Sequence, residues 1–249
     1  MAVTNGWGKG VENNTIDWGK GSTNNSNNWG SVYGSSAAGD TLLSASSFSN
    51  TNSLEFDGVD DELNFSSLSF SGAFTLSFWL KPAATNEYII GTQSLTRNFV
   101  KLHSTTEIKI RMELTTNTFT ESSNVMVLNQ WQHLMFVKDA SNNVSLFRNG
   151  AAFGSSATNS KTFIIDTISG LANNFYYEGK IDEFALWNSD QSSNISAIYN
   201  SGLPSDLSSL SPLTWWRFEE GSGTTATDSG SGGNNGTLVN GTYSTDVPT

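Results

Sequence analysis

The sequence predicts an all-β protein made of two packed antiparallel sheets, preceded by an extended N-terminal arm. Three observations support this prediction. Roughly a dozen short segments alternate apolar and polar residues, turn residues separate them, and almost no segment has helical spacing. Short alternating strands with edges rich in Ser, Thr and Asn are typical of a two-sheet sandwich of the jelly-roll type.

The composition limits which functions are open to the chain. Its 249 residues are 36% hydrophobic and 14% charged, so a sizeable core can form under a polar, mostly uncharged surface. The net charge of -11 argues against a nucleic-acid partner, because a phosphate-binding face needs an excess of Lys and Arg. The absence of cysteine excludes disulfides, thiolate metal sites and a cysteine nucleophile. We expect no signal peptide and no membrane insertion, since no basic stretch precedes an apolar run and no segment could span a bilayer.

Residues 1–40 contain a short internal repeat. Trp7, Trp18 and Trp29 lie eleven residues apart, each is followed by Gly, and Asn-rich triplets lie between them. The segment is too rich in Gly and Asn for a helix and has too few apolar residues for a core of its own. We interpret it as an anchoring arm whose Trp-Gly units insert into grooves of a partner or a symmetry mate. The alternative is an arm that lies back on its own domain or has no fixed structure.

The folded body is predicted over residues 53–249, after a linker rich in Ser, Thr and Asn at residues 41–52. Residues 131–138 and 144–148 form a predicted hairpin that an Asn-Gly turn closes. The one plausible helix covers residues 193–202 and ends at a Gly202 cap. The most regular strand is residues 74–82, with Phe74, Leu76, Phe78 and Leu80 on one face and Thr75, Ser77 and Trp79 on the other.

Residues 177–187 predict a strand near the middle of the body. Apolar residues fall on both of its sides, so we expect it to be covered on both faces. Asp182 lies among apolar neighbours, and a carboxylate in that position needs hydrogen-bond donors or a cation. Simple alternation puts Ile181, Glu183, Ala185 and Trp187 on one side, and Asp182, Phe184 and Leu186 on the other.

Several motifs of the body resemble those of a laminin-G-like domain of the concanavalin A-like lectin/glucanase superfamily. The resemblance covers about residues 53–202 and implies a jelly-roll sandwich, frequently with a calcium ion, that binds glycans or proteins. The motifs occur in the expected order at residues 54–61 (LEFDGVDD), 74–80 (FTLSFWL), 131–133 (WQH), 146–150 (LFRNG) and 179–184 (GKIDEF).

The C-terminal part departs from this pattern. Residues 216–224 and 234–238 resemble the segment that normally opens such a domain, yet here they close the chain. We favour a circularly permuted domain over the stub of a second copy, because a stub would leave Trp215, Trp216 and Phe218 without a core.

The combination of the Trp-Gly repeat with this body also resembles virion structural proteins of tailed phages. That resemblance agrees with the missing cysteines and signal peptide. It implies assembly in the host cytoplasm and display on the surface of the virion.

Two kinds of binding site are predicted. Asp57 and Asp60 crowd a turn that the resemblance places near Asp182, so these three carboxylates are candidate calcium ligands, with Asp61 beside them. The alternative is that the acids only cap their own turns. Tyr176 and Tyr177 are candidate glycan-binding aromatics, as are Trp79 and Tyr243.

Catalysis is not expected. A glycosidase needs two carboxylates that flank the scissile bond, whereas alternation points the adjacent Asp182 and Glu183 to opposite faces. The favoured function is a non-enzymatic phage virion protein, a homo-oligomer whose arm docks onto other virion proteins and whose sandwich projects as a capsid decoration or tail-fibre appendage. The alternative is a glycan-binding adhesin or receptor-binding module for host surface glycans, and a glycoside hydrolase comes third.

Overall fold

The computed structural model describes residues 48–94 and 97–249. The predicted arm, with Trp7, Trp18 and Trp29, and most of the linker lie outside the described residues. The described part is mostly β and forms two antiparallel sheets that pack as a sandwich, which confirms the predicted fold class. No helix in the described part is long and apolar enough to cross a membrane.

The strands of both sheets are short, and the single α-helix among the described residues, α1 (Ile195–Tyr199), lies between two 3-10 turns at Ser192–Asn194 and Asn200–Gly202. In chain order the strands are β1 (Ser53–Asp57), β2 (Glu62–Phe70), β3 (Phe74–Pro82), β4 (Glu87–Gly91), β5 (Phe99–Ser104), β6 (Glu107–Met112), β7 (Thr115–Thr120), β8 (Gln132–Lys138), β9 (Asn143–Arg148), β10 (Ala151–Ala152), β11 (Ala157–Thr158), β12 (Phe163–Ile168), β13 (Glu178–Trp187), β14 (Thr214–Trp216), β15 (Thr225–Ala226), β16 (Gly236–Val239) and β17 (Thr242–Ser244).

The first sheet has the order β10-β9-β8-β3-β13-β1-β17, with β11 beside β9 and β14 beside β13. The second has the order β15-β16-β2-β12-β4-β5-β6-β7. The chain crosses between the sheets several times, and both sheets receive strands from the C-terminal segment. Because β16 pairs with β2 and β17 with β1, that segment completes the same sandwich.

The core lies between the two sheets and is dense in aromatic rings. The alternation predicted for residues 74–82 is confirmed, because Phe74, Leu76, Phe78 and Leu80 all belong to this core. Phe78 stacks on Phe184 of β13 with ring centroids 5.6 Å apart.

The outer face of the first sheet is covered by a second apolar layer. Ile198 of α1 and Leu207 pack there against residues of β8, β13 and β14. Strands β3 and β13 are therefore buried on both faces, as predicted for residues 177–187. The outer face of the second sheet has no such layer among the described residues, and Thr116 and Thr118 of β7 are exposed there.

Two local features have clear sequence causes. The turn between β9 and β10 has positive φ at Asn149 (50°) and Gly150 (74°), as two-residue hairpin turns of Asn-Gly type require. Helix α1 is shorter than predicted, and its cap is Asn200, with φ 46°, instead of Gly202. Asn can end a helix because its side chain tolerates the left-handed conformation.

We expect Trp216→Ala to destabilise the protein by about 3–5 kcal/mol, the usual cost of truncating a buried Trp. The Trp216 ring is fully buried, with its centroid 4.7 Å from that of Phe65 and 5.4 Å from that of Phe184, so its removal leaves a cavity in the core. The free energy of unfolding from urea denaturation checks this. Leu203→Ala is the control, since Leu203 is 51% exposed and should change stability by less than about 0.5 kcal/mol. Equal stability of the Trp216→Ala and Leu203→Ala proteins would mean that the C-terminal segment is not part of the core.

Candidate functional site

A β-bulge in the middle of β13 decides where its acidic residues point. Asp182 pairs with Trp79 of β3, whereas Ala185 pairs with Ser77, so β13 carries one extra residue between the two pairs. Glu183 is at the bulge and has a left-handed φ of 47°. Two consecutive side chains, Asp182 and Glu183, therefore face away from the core.

The bulge corrects the predicted faces of residues 181–187. Ile181 lies in the core with Phe184 and Leu186, not on the side of Ala185 and Trp187. The inference that Asp182 and Glu183 point to opposite faces is wrong, because simple alternation does not hold across a bulge. Both carboxylates are nevertheless enclosed by protein, with 0% and 3% exposure.

Asp182 and Glu183 are held by residues from the beginning and from the C-terminal part of the described chain. Asn50 donates a hydrogen bond of 2.9 Å to Asp182, which also accepts the backbone N–H of Glu183. The indole N–H of Trp215 donates to Glu183 at 2.6 Å, and the Arg217 guanidinium lies 3.3 Å from the same carboxylate. Arg217 in turn donates to the backbone carbonyl of Ser49. These contacts attach residues 48–52 to β13 and β14.

Burial raises the pKa of Glu183 to about 8, although the charge of Arg217 and the hydrogen bond from Trp215 act in the opposite direction. Burial also raises the pKa of Asp182 well above its usual range, and the charge of Glu183 adds to this effect. The structure therefore favours the protonated form of both carboxyl groups.

The acidic turn between β1 and β2 is a different cluster. Carboxylate oxygens of Asp57, Asp60 and Asp61 lie within 4.8 Å of one another. Asp57 accepts the backbone N–H of Val59, and Asp61 accepts that of Asp57. Burial raises the pKa of Asp61, and the negative charges of Asp57 and Asp60 raise it further.

Asp182 does not belong to this cluster, which corrects the predicted ligand set. The register pairs Asp57 with Glu178, four residues before Asp182 on β13, so the two carboxylates are separated by roughly 13 Å along the strand. The third member of the cluster is Asp61, which lies in the same turn as Asp57 and Asp60. Its position next to Asp60 in the sequence already indicated that it lies in this turn.

A polar cavity of about 450 Å³ lies beside the acidic turn. It contains carboxylates of both β1 and β13, and the amines of Lys81 and Lys180 lie 2.7 and 2.8 Å from Asp246. Burial alone would raise the pKa of Asp246, but the hydrogen bonds from these two lysines outweigh it and lower the pKa. The lining residues are Glu55, Phe56, Asp57, Asp61, Lys81, Ala83, Asn129, Glu178, Gly179, Lys180, Asn240 and Thr242.

The predicted glycan-binding aromatics are only partly available. Tyr177 is fully buried in the core and Trp79 is 4% exposed, so neither side chain can meet a sugar in this structure. Tyr176 and Tyr243 are half-buried and remain accessible. Phe175 was missed by the sequence reasoning, although it is 55% exposed. No alternating pattern marks it, because it lies in an irregular loop.

His133 has a structural environment. Its ring is 1% exposed, its Nε2 lies 2.7 Å from the Ser77 hydroxyl, and burial lowers its pKa to about 3. Trp79 and Tyr199 lie against the ring, with centroids 5.2 and 5.9 Å away. This neutral, enclosed imidazole packs as part of the structure and is not accessible to a ligand.

Residues 57–194, more than half of the chain, match the profile of the Laminin_G_3 family, described as concanavalin A-like lectin/glucanases superfamily. The chain belongs to this family. The family segment includes β2 to β13 and ends just before α1, so α1 and β14 to β17 lie outside it. No curated protein sequence matches this laminin-G-like chain.

Several solved structures are similar to this chain at low identity. A Bacteroides ovatus protein, provisionally named as carbohydrate-binding, aligns over 81% of this chain with a TM-score of 0.62 and 15% identity. The laminin-G-like chain covers 62% of that protein, less than two thirds of its length. Domains LG4-5 of the mouse laminin α1 chain align over 55% of this chain and 41% of theirs (TM-score 0.39, 13% identity). The receptor-binding domain of botulinum neurotoxin type G aligns over 61% and 51% (TM-score 0.37, 14% identity).

The protonated state of the bulge predicts a pH dependence. Because folding raises the pKa of Glu183 from 4.5 to about 8, its stabilising effect is fully present below pH 4.5 and is lost as the pH rises through 8. Between pH 4.5 and pH 8, the contribution of Glu183 to the free energy of unfolding should fall by up to about 1.4 kcal/mol per pH unit. Glu183→Gln should flatten that slope, as measured by urea denaturation at a series of pH values. The exposed Glu113→Gln protein should keep the wild-type slope. An unchanged slope in Glu183→Gln would show that Glu183 does not titrate in this way.

Proposed function

We propose that the sandwich is a non-enzymatic carbohydrate-binding module whose site is the polar cavity beside the acidic turn. The observation that carries this proposal is a turn with three close carboxylates, two of which, Asp57 and Asp61, line a cavity of about 450 Å³ in a lectin-like sandwich. Amide, carboxylate and ammonium groups line the cavity, and such groups form the hydrogen bonds that orient a hydroxyl-rich ligand. The provisional name of the Bacteroides ovatus protein supports the same class of ligand.

Calcium is the cation that fits the acidic turn. Hard oxygen ligands from several carboxylates suit Ca²⁺, which takes six to eight oxygens in a flexible geometry. Asp57 and Asp61 each use one oxygen on a backbone N–H, which leaves the second oxygen of each for a cation. Within the described residues, no Lys or Arg forms an ion pair with Asp57, Asp60 or Asp61. A bound Ca²⁺ would offset the mutual repulsion of the three carboxylates and present open coordination positions to sugar hydroxyls.

The arrangement of the acids favours binding over hydrolysis. Asp182 and Glu183 are the carboxylates whose pKa values are raised, yet both are enclosed and neither is among the residues that line the polar cavity. A glycosidase needs two carboxylates that reach both sides of one scissile bond. The acids that do line the cavity are Glu55, Asp57, Asp61 and Glu178, and such an oxygen-rich lining suits cation and hydroxyl binding.

Asp61→Asn should weaken both calcium binding and calcium-dependent glycan binding. Wild-type protein should be stabilised by about 2.7 kcal/mol at a calcium concentration 100 times the dissociation constant, whereas the variant should lose most of this effect. Thermal unfolding with and without calcium, followed by a glycan array with calcium or EDTA, measures the two steps. Glu113→Gln removes an exposed carboxylate elsewhere and is the matched control. Glycan binding that persists in EDTA and in Asp61→Asn would place the sugar site elsewhere.

The second candidate function is that of a virion structural protein, and the Trp-Gly repeat supports it. Equal spacing of Trp7, Trp18 and Trp29 favours a regular receiving surface such as a symmetric particle. In this arrangement the arm docks onto other virion proteins while an oligomer of sandwiches is displayed outward. Glycan binding by the sandwich is compatible with this role, since a displayed module can contact host surface glycans.

Deletion of residues 1–40 tests the arm independently of the sandwich. We expect the truncated chain to keep the circular dichroism spectrum of a β sandwich and to lose incorporation into particles, because the predicted anchors are removed. Replacement of all three Trp residues by Ala within the full chain is the matched variant and should have the same effect. Normal incorporation of both proteins would contradict the anchoring role.

A further inference from the structure

The outer face of the second sheet carries a cluster that the proposed cavity does not use. We call it the aromatic–cationic face: Tyr88 of β4, Phe99 and Lys101 of β5, Arg111 of β6, and Phe175 in the loop before β13. The neighbouring residues of β5 and β6, such as Val100 and Ile110, point into the core. Since strand residues alternate between faces, Phe99, Lys101 and Arg111 share the opposite face.

The strand register places these side chains in two adjacent rows. Tyr88 lies directly opposite Lys101, and Phe99 lies directly opposite Arg111. The ring centroids of Tyr88 and Phe99 are 5.0 Å apart, and Phe175 adds a third ring 5.5 Å from Tyr88. The rings therefore form one continuous patch across β4 and β5.

Both cations are held against these rings and not by acids. The Lys101 ammonium lies 4.4 Å from the centroid of Tyr88, and the Arg111 guanidinium carbon lies 5.9 Å from that of Phe99. Neither forms a hydrogen bond or ion pair with any described residue, whereas Lys109 on the same face is paired with Glu107 at 2.8 Å. The Nε of Arg111 is buried and has no hydrogen-bond partner in the described part of the chain. In a chain with a net charge of -11, two such cations side by side are a notable concentration of unneutralised positive charge.

Phe175 is held outward by an unusual loop. Its φ is 58°, and Ala172 and Asn173 also have positive φ values, of 54° and 52°. A positive φ is rare for an aromatic residue, and strain of this kind persists where the surrounding structure imposes it. The result is a large apolar ring that is 55% exposed next to Tyr88, the ring that Lys101 contacts.

We propose that the aromatic–cationic face binds a polysaccharide whose sugar units carry negatively charged groups. The C–H face of a pyranose ring packs on Phe175, and the charged substituents pair with Lys101 and Arg111. The planar guanidinium of Arg111 suits a carboxylate or sulfate. The half-buried Tyr88, Lys101 and Arg111 lie on an extended surface, which accommodates a polymer more readily than a small ligand. This inference rests on the carbohydrate-binding class proposed above, but at a surface separate from the acidic turn.

The position and number of the cations favour an acidic glycan over a nucleic acid. Lys101 is on β5, three strands from β2, which follows the acidic turn, so these two strands are roughly 14 Å apart across the sheet. Nucleic-acid binding rests on many phosphate contacts, whereas this face offers two unpaired cations in a strongly acidic chain. A glycan with spaced charges and apolar ring faces matches both features of the patch.

The test uses the full chain and polygalacturonate, with its fully methyl-esterified form as the uncharged counterpart of the same backbone. Binding is measured by isothermal titration calorimetry in EDTA, so that a calcium-dependent site does not contribute. Dextran sulfate and single-stranded DNA are further probes. The variants are Lys101→Gln, Arg111→Gln, the double variant, and Phe175→Asn, since Asn tolerates a positive φ. Lys161→Gln and Leu203→Asn remove an exposed charge and an exposed apolar side chain elsewhere.

We expect polygalacturonate or dextran sulfate to bind in EDTA, and the comparison between them distinguishes carboxylate from sulfate. Each cation variant should weaken binding about tenfold, the double variant should lose the dependence on salt, and the control variants should bind like wild type. Phe175→Asn should weaken binding while the salt dependence is kept. Equal binding of the methyl-esterified polymer, wild-type affinity of the double variant, or tighter binding of DNA would each overturn the proposal. Binding that is absent in EDTA, appears only when calcium is added, is abolished by Asp61→Asn and is unchanged in the double variant would overturn this face alone and leave the cavity site standing.

Discussion

The rest of the structure depends on the bulge in β13. This strand is paired with β3 and β1 and, along its second half, with β14, so most of the first sheet is built around it. The extra residue lets Phe184 and Leu186 stay in the core while Asp182 and Glu183 both turn outward. There the two carboxyl groups meet Asn50, Trp215 and Arg217, which come from opposite ends of the described chain. A polar group enclosed this deeply costs free energy unless hydrogen-bond partners satisfy it, so the bulge requires these segments to be in place.

The two sheets differ in what covers their outer faces, and this difference assigns their roles. The first sheet is closed by α1 and by an apolar layer that includes Trp187 and Trp215, so it serves as scaffold. The second sheet leaves its outer face open and carries aromatic rings and cations there. The acidic turn and its cavity lie at a third place, where β1 ends beside the start of β13. A lectin-like sandwich can thus offer an oxygen-rich edge for a cation and a separate face for a charged polymer.

Much of the fold could be predicted from the sequence, but less of the candidate site. The alternation in β3, the Asn-Gly hairpin turn and the mostly β content were all predictable, because each depends on residues close together in the chain. The candidate metal ligands show the limit of reasoning from the sequence. Asp57 and Asp60 share a turn and do lie together. Asp182 was assigned to them by resemblance, but it lies four residues along β13 from Glu178, the residue that pairs with Asp57. The burial of Tyr177 and the exposure of Phe175 show the same limit, since the residues of an irregular loop follow no periodic pattern from which burial could be predicted.

The sequence by itself determined the class of sandwich, the alternating faces of the regular strands, the acidic turn and the exclusion of cysteine chemistry. The reason is that these properties depend on local spacing and composition. Only the tertiary structure decided that Asp182 and Glu183 share a side, that Asp182 lies apart from the acidic turn, and that the C-terminal strands enter both sheets. It also brought Tyr88, Lys101 and Phe175 together, because strand register and loop path bring residues together that lie far apart in the chain.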